Sequence, residues 1–239
     1  MRKFTLTLCT IAVSAAALVY AGDHPEKTDA SAQMKADATT TAAASTEQMV
    51  MAEVDKAAPN FTLTSSIGNK HSLSDFKGKT VVLEWTNYDC PFVKKFYGAN
   101  AMQKWQDAYT KKGVVWLSIC SSADGKEGFF DTKTVATRMK DAKAAPTAYL
   151  MDANGTVGRM YGAKTTPHMF VINPEGVLVY AGAIDSKRST DAADIAGATN
   201  YVAAALDAIM AGKPVETKTS TPYGCSVKYA TPAATPTAN

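Results

Sequence analysis

The sequence predicts an α/β domain, a mixed central β-sheet flanked by helices on both faces. Three observations predict it. Two short apolar, β-branched runs, "TVVLEW" (80–85) and "VVWLSIC" (114–120), have the composition of strands covered on both sides. Each is followed by a stretch with helical spacing of apolar residues. The order then closes with two strands, "HMFVI" and "VLVYAGA", a hairpin turn "NPEG" between them, and a last helix. Residues 57–212 are long enough for one good core.

Taken in order, Met1 to Ala21 has a basic start (Arg2, Lys3), an apolar run from Leu8 to Leu18, and Val19 and Ala21 placed as the small residues of a signal-peptidase site. The apolar run is too short to span a membrane, which needs roughly 20 residues. Residues 1–21 are therefore expected to be a cleaved secretory signal, and membrane association is not expected after cleavage. Residues 22–56 form an Ala/Thr-rich leader, expected to be disordered because it has little apolar surface to offset its ordering entropy. Order begins at 57, where Phe61 and Leu63 alternate with polar residues and "SIGNK" offers a hairpin turn.

After the 80–85 strand, Val93, Phe96, Tyr97, Met102, Trp105, Ala108 and Tyr109 recur at helical spacing from Pro91 to Lys111, and Gly113 ends the pattern. A second helix is expected over 126–142, then a strand "TAYLMD", the hairpin, and a helix over 192–211 stopped by Gly212 and Pro214. Residues 213–239 read as an extended tail with one aromatic, glycine-bearing island around Cys225.

Charge excludes one class of function. Loss of residues 1–21 removes two of the 25 basic residues and none of the 22 acidic ones, so the formal charge falls from +3 to +1. Nucleic-acid binding would need a clustered basic face, and none is expected. Cys9 leaves with the signal, so Cys90, Cys120 and Cys225 remain. Three thiols allow at most one bridge, a pattern that suits chemistry better than stapling.

Cys90 falls at the junction of a strand and a helix, directly before Pro91. Unpaired N–H groups and the positive end of the helix dipole favour a thiolate there, and Lys94 and Lys95 lie one turn on. A thiolate is the nucleophile of both disulfide exchange and peroxide reduction. The alternative is a small buried cysteine that happens to open a helix. No bound cofactor and no metal is implied.

The segments "APNFTLTSSIGNKHSLSDFKGKTVVLEW", "CPFVK", "GVVWLSI" and "YGAKTTPHMFVINPEGVLVYAGAI" resemble the redoxin branch of the thioredoxin-like superfamily, the peroxiredoxin-like thiol-specific antioxidant relatives. More closely, the chain resembles exported members that carry "CPFV" and end in "PYGCSVKY". The resemblance implies a thioredoxin-like fold, with Cys90 as the first position of a C-x-x-C motif whose second position is Val93. It implies that Thr166-Pro167 is a cis-proline loop facing Cys90. It also gives Glu84, inside the apolar strand, the place of a buried acid that exchanges protons with the cysteine; a strand-end glutamate facing solvent is the alternative. The peroxide-holding signature P-x-x-x-T/S-x-x-C is absent, since Leu83 and Asn87 occupy its first two fixed positions; Asn87 would have to supply the polar contact. The resemblance also implies a periplasmic location.

Cys225 is expected to meet Cys90 as a resolving thiol, with an intermolecular disulfide or a free tail thiol as alternatives. Cys120 reads as a core residue. His168 is the one histidine placed near the site, and a Cys90/His168 copper site would lack the second thiol that Val93 replaces. The leading expectation is an exported oxidoreductase that reduces peroxide through Cys90, restored by an external thiol reductant such as a thioredoxin-like donor. The alternatives are thiol–disulfide exchange without peroxidase activity, or a binding module with an idle thiol.

Overall fold

A computed structural model of the chain describes residues 50–231. The expected signal segment, the leader up to residue 49 and the last eight residues lie outside the described part. In chain order the elements are β1 (Thr62–Ser65), β2 (Lys70–Ser72), β3 (Val81–Trp85), α1 (Pro91–Gly98), α2 (Ala101–Thr110), β4 (Val115–Cys120) and α3 (Thr132–Asp141). There follow β5 (Ala148–Met151), α4 (Thr156–Met160), β6 (Thr165–Thr166), β7 (His168–Ile172), β8 (Leu178–Gly182), α5 (Tyr201–Met210) and β9 (Cys225–Ser226).

Seven strands form one mixed sheet in the order β2-β1-β5-β4-β3-β7-β8, and β6 with β9 forms a separate pair. β4 runs parallel to both β3 and β5, whereas β7 pairs antiparallel with β3 and with β8. Every residue of β3, β4 and β7 is buried, as their mainly apolar runs predict, and Glu84, Ser118 and His168 are buried with them. Because side chains alternate across a strand, Val82, Trp116 and Val171 face one layer, with Phe96, Met102 and Leu206 from the helices packed on them. Leu83, Trp85, Ile119 and Phe170 face the other, with Leu150, Tyr161 and Val157. α1, α2, α3 and α5 all contribute to the first layer; α4 and the chain before β1 cover the second. Each large side chain fully buried in these layers contributes about 1.5–3 kcal/mol against exposure, which is what holds the central strands rigidly beneath the site.

Three expectations are corrected. The helix expected over 91–111 is two helices, broken where Asn100 takes a left-handed conformation (φ 57°, ψ 24°). Asparagine tolerates that region, and the apolar spacing runs on through the break, which hides it in the sequence. The helix expected over 192–211 is a short 3-10 turn at Ala192–Ile195 followed by α5, capped by the Asn200 side chain, which accepts from Ala203 N at 2.9 Å. The third concerns the leader. Ala52 N donates to Met160 O at 2.9 Å, Asp55 N donates to Leu178 O at 2.8 Å, and Ala52 and Val54 pack on the second layer. The ordered domain thus begins before residue 57, because backbone pairing with β8 satisfies a segment too poor in apolar residues to stand alone.

Candidate active site

β3 ends at Trp85, and the five residues from Thr86 to Cys90 turn the chain into α1. Cys90 N donates to Asn87 O at 3.0 Å, closing the turn, and Cys90 itself caps the helix in extended conformation (φ −66°, ψ 124°). Pro91 takes the first helical position, where a missing N–H loses nothing. The Cys90 sulfur thus lies at the N-terminus of an eight-residue helix, the setting that favours a thiolate. Its exposure is 0%, and its thiol donates to Thr166 O at 3.0 Å. Val93, also fully buried, fills the space a second thiol would use.

Thr166 precedes Pro167 across a cis peptide bond and lies in β6. The tail forms the partner strand: β9 runs antiparallel to β6, with Cys225 opposite Thr166 and Ser226 opposite Thr165. The residue before Cys225 has to be glycine. Gly224 sits at φ +139°, and a Cβ there would run into the Thr166 carbonyl. This register sets Cys225 opposite Thr166, whose carbonyl accepts from Cys90, and the three cysteines among the described residues are free. Burial, then the neighbouring Cys90, push the Cys225 thiol up to about 12. The tail continues over the domain, with Ala123 N donating to Lys228 O at 2.8 Å and Val227 N to Lys164 O at 3.0 Å.

Glu84 is completely buried in β3. Its Oε2 accepts from Trp116 Nε1 (2.8 Å), Ser118 Oγ (3.0 Å) and Gln106 Nε2 (3.1 Å), and Oε1 accepts from Tyr97 Oη (3.4 Å). Burial raises its pKa, and the bonds from Trp116, Ser118 and Gln106 oppose the rise. Among the described residues no hydrogen bond joins Glu84 to Cys90. Asn87 is committed to its own turn: Oδ1 accepts from Asp89 N at 2.9 Å, and Nδ2 reaches Glu127 Oε1 at 3.5 Å. Lys94 points to solvent and lies 3.8 Å from Asp89, which also pairs with Arg138 at 3.0 Å.

Cys120 is buried at the end of β4 and donates to Gly128 O at 3.2 Å. His168 is buried against Phe170, and its Nδ1 accepts from Lys164 N at 3.2 Å. Burial, helped by the Lys164 charge, lowers its pKa to about 3, so the ring is neutral in ordinary buffers. No cluster of three or more potential metal ligands occurs among the described residues. A cleft of about 550 Å³ opens beside α1, lined by Tyr88, Val93, Lys94, Tyr97, Gln103 and Arg138 among others; Cys90 does not line it.

The roles of three residues at the site escape sequence reading. Lys95, whose side chain has no exposure, lies 3.6 Å from the buried Asp185 carboxylate, and Asp185 accepts from the Tyr223 hydroxyl. Lys95 stands beside a solvent-facing lysine and shares its helical signature, and 90 residues separate it from Asp185. The one available signal is Tyr223 itself, an aromatic residue beside Gly224 in an otherwise polar tail.

A model of the AhpC/TSA family matches residues 54–181, a stretch that holds Glu84, Cys90, Thr166 and Pro167 and stops short of Cys225. Two proteins named thiol-disulfide oxidoreductase ResA, from Bacillus thuringiensis subsp. konkukian and Bacillus cereus, are each 31% identical over 128 residues, covering 53% of this chain and 68% of theirs. An uncharacterized conserved protein from Geobacillus kaustophilus aligns with a TM-score of 0.66 at 28% identity, over 77% of this chain and 95% of its own. A hypothetical protein from Sinorhizobium meliloti 1021 aligns with a TM-score of 0.62 at 27% identity, over 74% of this chain and 95% of its own.

Proposed function

The chain belongs to the AhpC/TSA family and carries the thioredoxin-like fold, and we propose that it is an exported thiol–disulfide oxidoreductase with Cys90 as nucleophile and Cys225 as resolving thiol. The observation that carries the proposal is the register of β6 and β9, which sets Cys225 opposite Thr166 while Cys90 donates to the Thr166 carbonyl. The name of the Bacillus relatives supports the same reading. Export rests on the reading of residues 1–21 as a signal. No helix among the described residues is long and apolar enough to cross a membrane.

The Cys90 thiolate attacks one sulfur of a substrate disulfide, forming a mixed disulfide and releasing the other sulfur as a thiolate. Cys225, once deprotonated, attacks the Cys90 sulfur. The mixed disulfide breaks, the second substrate thiolate leaves, and a Cys90–Cys225 disulfide remains. The substrate has gained two electrons and the protein has lost two. An external dithiol reductant returns them. Burial first, and the neighbouring Cys90 second, keep Cys225 protonated, and conversion of Cys90 to a disulfide removes the second cause.

Peroxide reduction, the leading expectation from the sequence, has weaker support. The signature hydroxyl before the cysteine is missing, and the amide of Asn87 is spent on Asp89 N and Glu127. The donors to Glu84 are Trp116, Ser118, Gln106 and Tyr97 and do not include Cys90, so we assign it no direct proton transfer with the nucleophile.

The test compares insulin reduction in the presence of dithiothreitol with hydrogen peroxide consumption. The wild type should reduce insulin disulfides, Cys90→Ser should not, and Cys225→Ser should accumulate a mixed disulfide on Cys90. Peroxide consumption that outpaces insulin reduction would replace this reading with the peroxidase one.

A further inference from the structure

The pair formed by Lys95 and Asp185 is the one salt bridge among the described residues with both side chains buried, at 0% and 2% exposure. Removing two charges from water costs as much as their attraction returns, so a hydrophobic pair of similar volume would serve stability as well. What an ion pair adds is a specified partner and register. Its surroundings show which register. Lys95 lies in α1, five residues after Cys90, and its ammonium also donates to Lys187 O at 3.3 Å. Asp185 Oδ1 accepts from Lys187 N at 3.0 Å and from the Tyr223 hydroxyl. Tyr223, only 4% exposed, stands two residues before Cys225 and packs edge-to-face on Phe92, two residues after Cys90, at 5.8 Å between ring centres. One buried carboxylate therefore ties the helix capped by Cys90 to the segment that leads into Cys225.

This tie has a second consequence. With the tail docked, Cys90 has no exposure, yet a substrate sulfur must reach its thiolate to form a bond. The tail has to lift before exchange and return before resolution. The other anchors are neutral hydrogen bonds, such as Ser220 Oγ accepting from Ala183 N at 2.9 Å and Tyr229 Oη donating to Ala163 O at 2.8 Å, and two charged contacts at the exposed surface, Arg159 Nη2 to Ala230 O at 2.7 Å and Lys218 to Asp55 at 2.8 Å. The hydroxyl of Tyr223 donates to a charged acceptor, the stronger class of bond.

We propose that Lys95, Asp185 and Tyr223 form a latch that positions Cys225 for resolution and, by opening, admits the disulfide substrate to Cys90. All three are positioning residues, and the resolution half of the proposal rests on the Cys90/Cys225 reading above.

The test uses the full chain with Tyr223→Phe, which keeps the ring against Phe92 and deletes the hydroxyl. In the reduced protein, iodoacetamide labelling of each cysteine is followed by mass spectrometry, and the rate of internal disulfide formation is measured with oxidised dithiothreitol. Loss of a hydrogen bond to a charged group should speed Cys90 labelling about tenfold and slow the internal disulfide by a similar factor. Cys120 labelling should not change, whereas general loosening would raise it too. The double variant Lys95→Met/Asp185→Leu, checked for folding by its thermal transition, should speed Cys90 labelling in the same way. Unchanged Cys90 labelling in both variants, or a parallel rise at Cys120, overturns the latch. A wild type that forms no Cys90–Cys225 disulfide overturns the exchange reading instead, while the labelling comparison still decides whether the tail gates Cys90.

Discussion

Cys90 and Cys225 are the same residue held in two different ways. Cys90 is placed by the core: β3 beneath it is buried along its whole length, and α1 is pinned by Val93 and Phe96, both without exposure. Cys225 is placed by a strand of two residues, a glycine that permits a close approach, and a tyrosine hydroxyl on a buried carboxylate. The nucleophile therefore inherits its position from the stability of the whole domain. The resolving thiol depends on a few local contacts that can open without unfolding anything else. Damage to the tail should leave the fold intact and change the chemistry alone.

Gly224→Ala is the strongest challenge to that contrast. A Cβ at this position meets the Thr166 carbonyl, and φ +139° disfavours any L side chain. With strain of about 1–3 kcal/mol concentrated on the β6–β9 pair, formation of the internal disulfide should fall about tenfold or more. The thermal unfolding midpoint should hardly move. A large drop in that midpoint would mean the tail belongs to the cooperative core, and the contrast would break.

A smaller effect sharpens the core side. Glu84 has its folded pKa raised by burial above the ordinary 4.5. The folded state then binds the proton more tightly than the unfolded state, so this contribution to stability is full at low pH and is lost as pH rises from 4.5 through the raised value. Glu84→Gln should flatten that loss: its amide oxygen can accept from Trp116, Ser118 and Gln106, while its amide nitrogen faces Tyr97 Oη. The stability of the variant relative to wild type should increase with pH in urea titrations across this range. Its rate of Cys90 labelling against pH should shift little, because no hydrogen bond joins the two groups. A fall in relative stability with rising pH would refute the assigned direction.

Much of this was legible in the chain. The strand–helix junction at Cys90 follows from "VVLEW" and "CPF", since a short, mainly apolar and β-branched run suits a strand covered on both faces and proline suits a helix start. The fold class followed from the alternation of such runs with helical spacing. The breaks at Asn100 and before α5 were not legible, because apolar periodicity reports which face is buried and not whether the backbone is continuous. The five-residue helix α4 is too short to show a period. The buried charge of Lys95 was hidden for another reason: a lysine beside a solvent-facing lysine carries no mark of burial, and its partners Asp185 and Lys187 arrive from 90 and 92 residues away. Sequence reading thus located the nucleophile and missed the device that controls approach to it.

The measurement closest to the central claim is a disulfide map of the intact, fully reduced protein after equilibration with oxidised dithiothreitol. A single Cys90–Cys225 crosslink, with Cys120 still alkylatable after unfolding, is the predicted result. A crosslink that involves Cys120, or a protein in which Cys225 stays free while Cys90 is oxidised, would contradict the account.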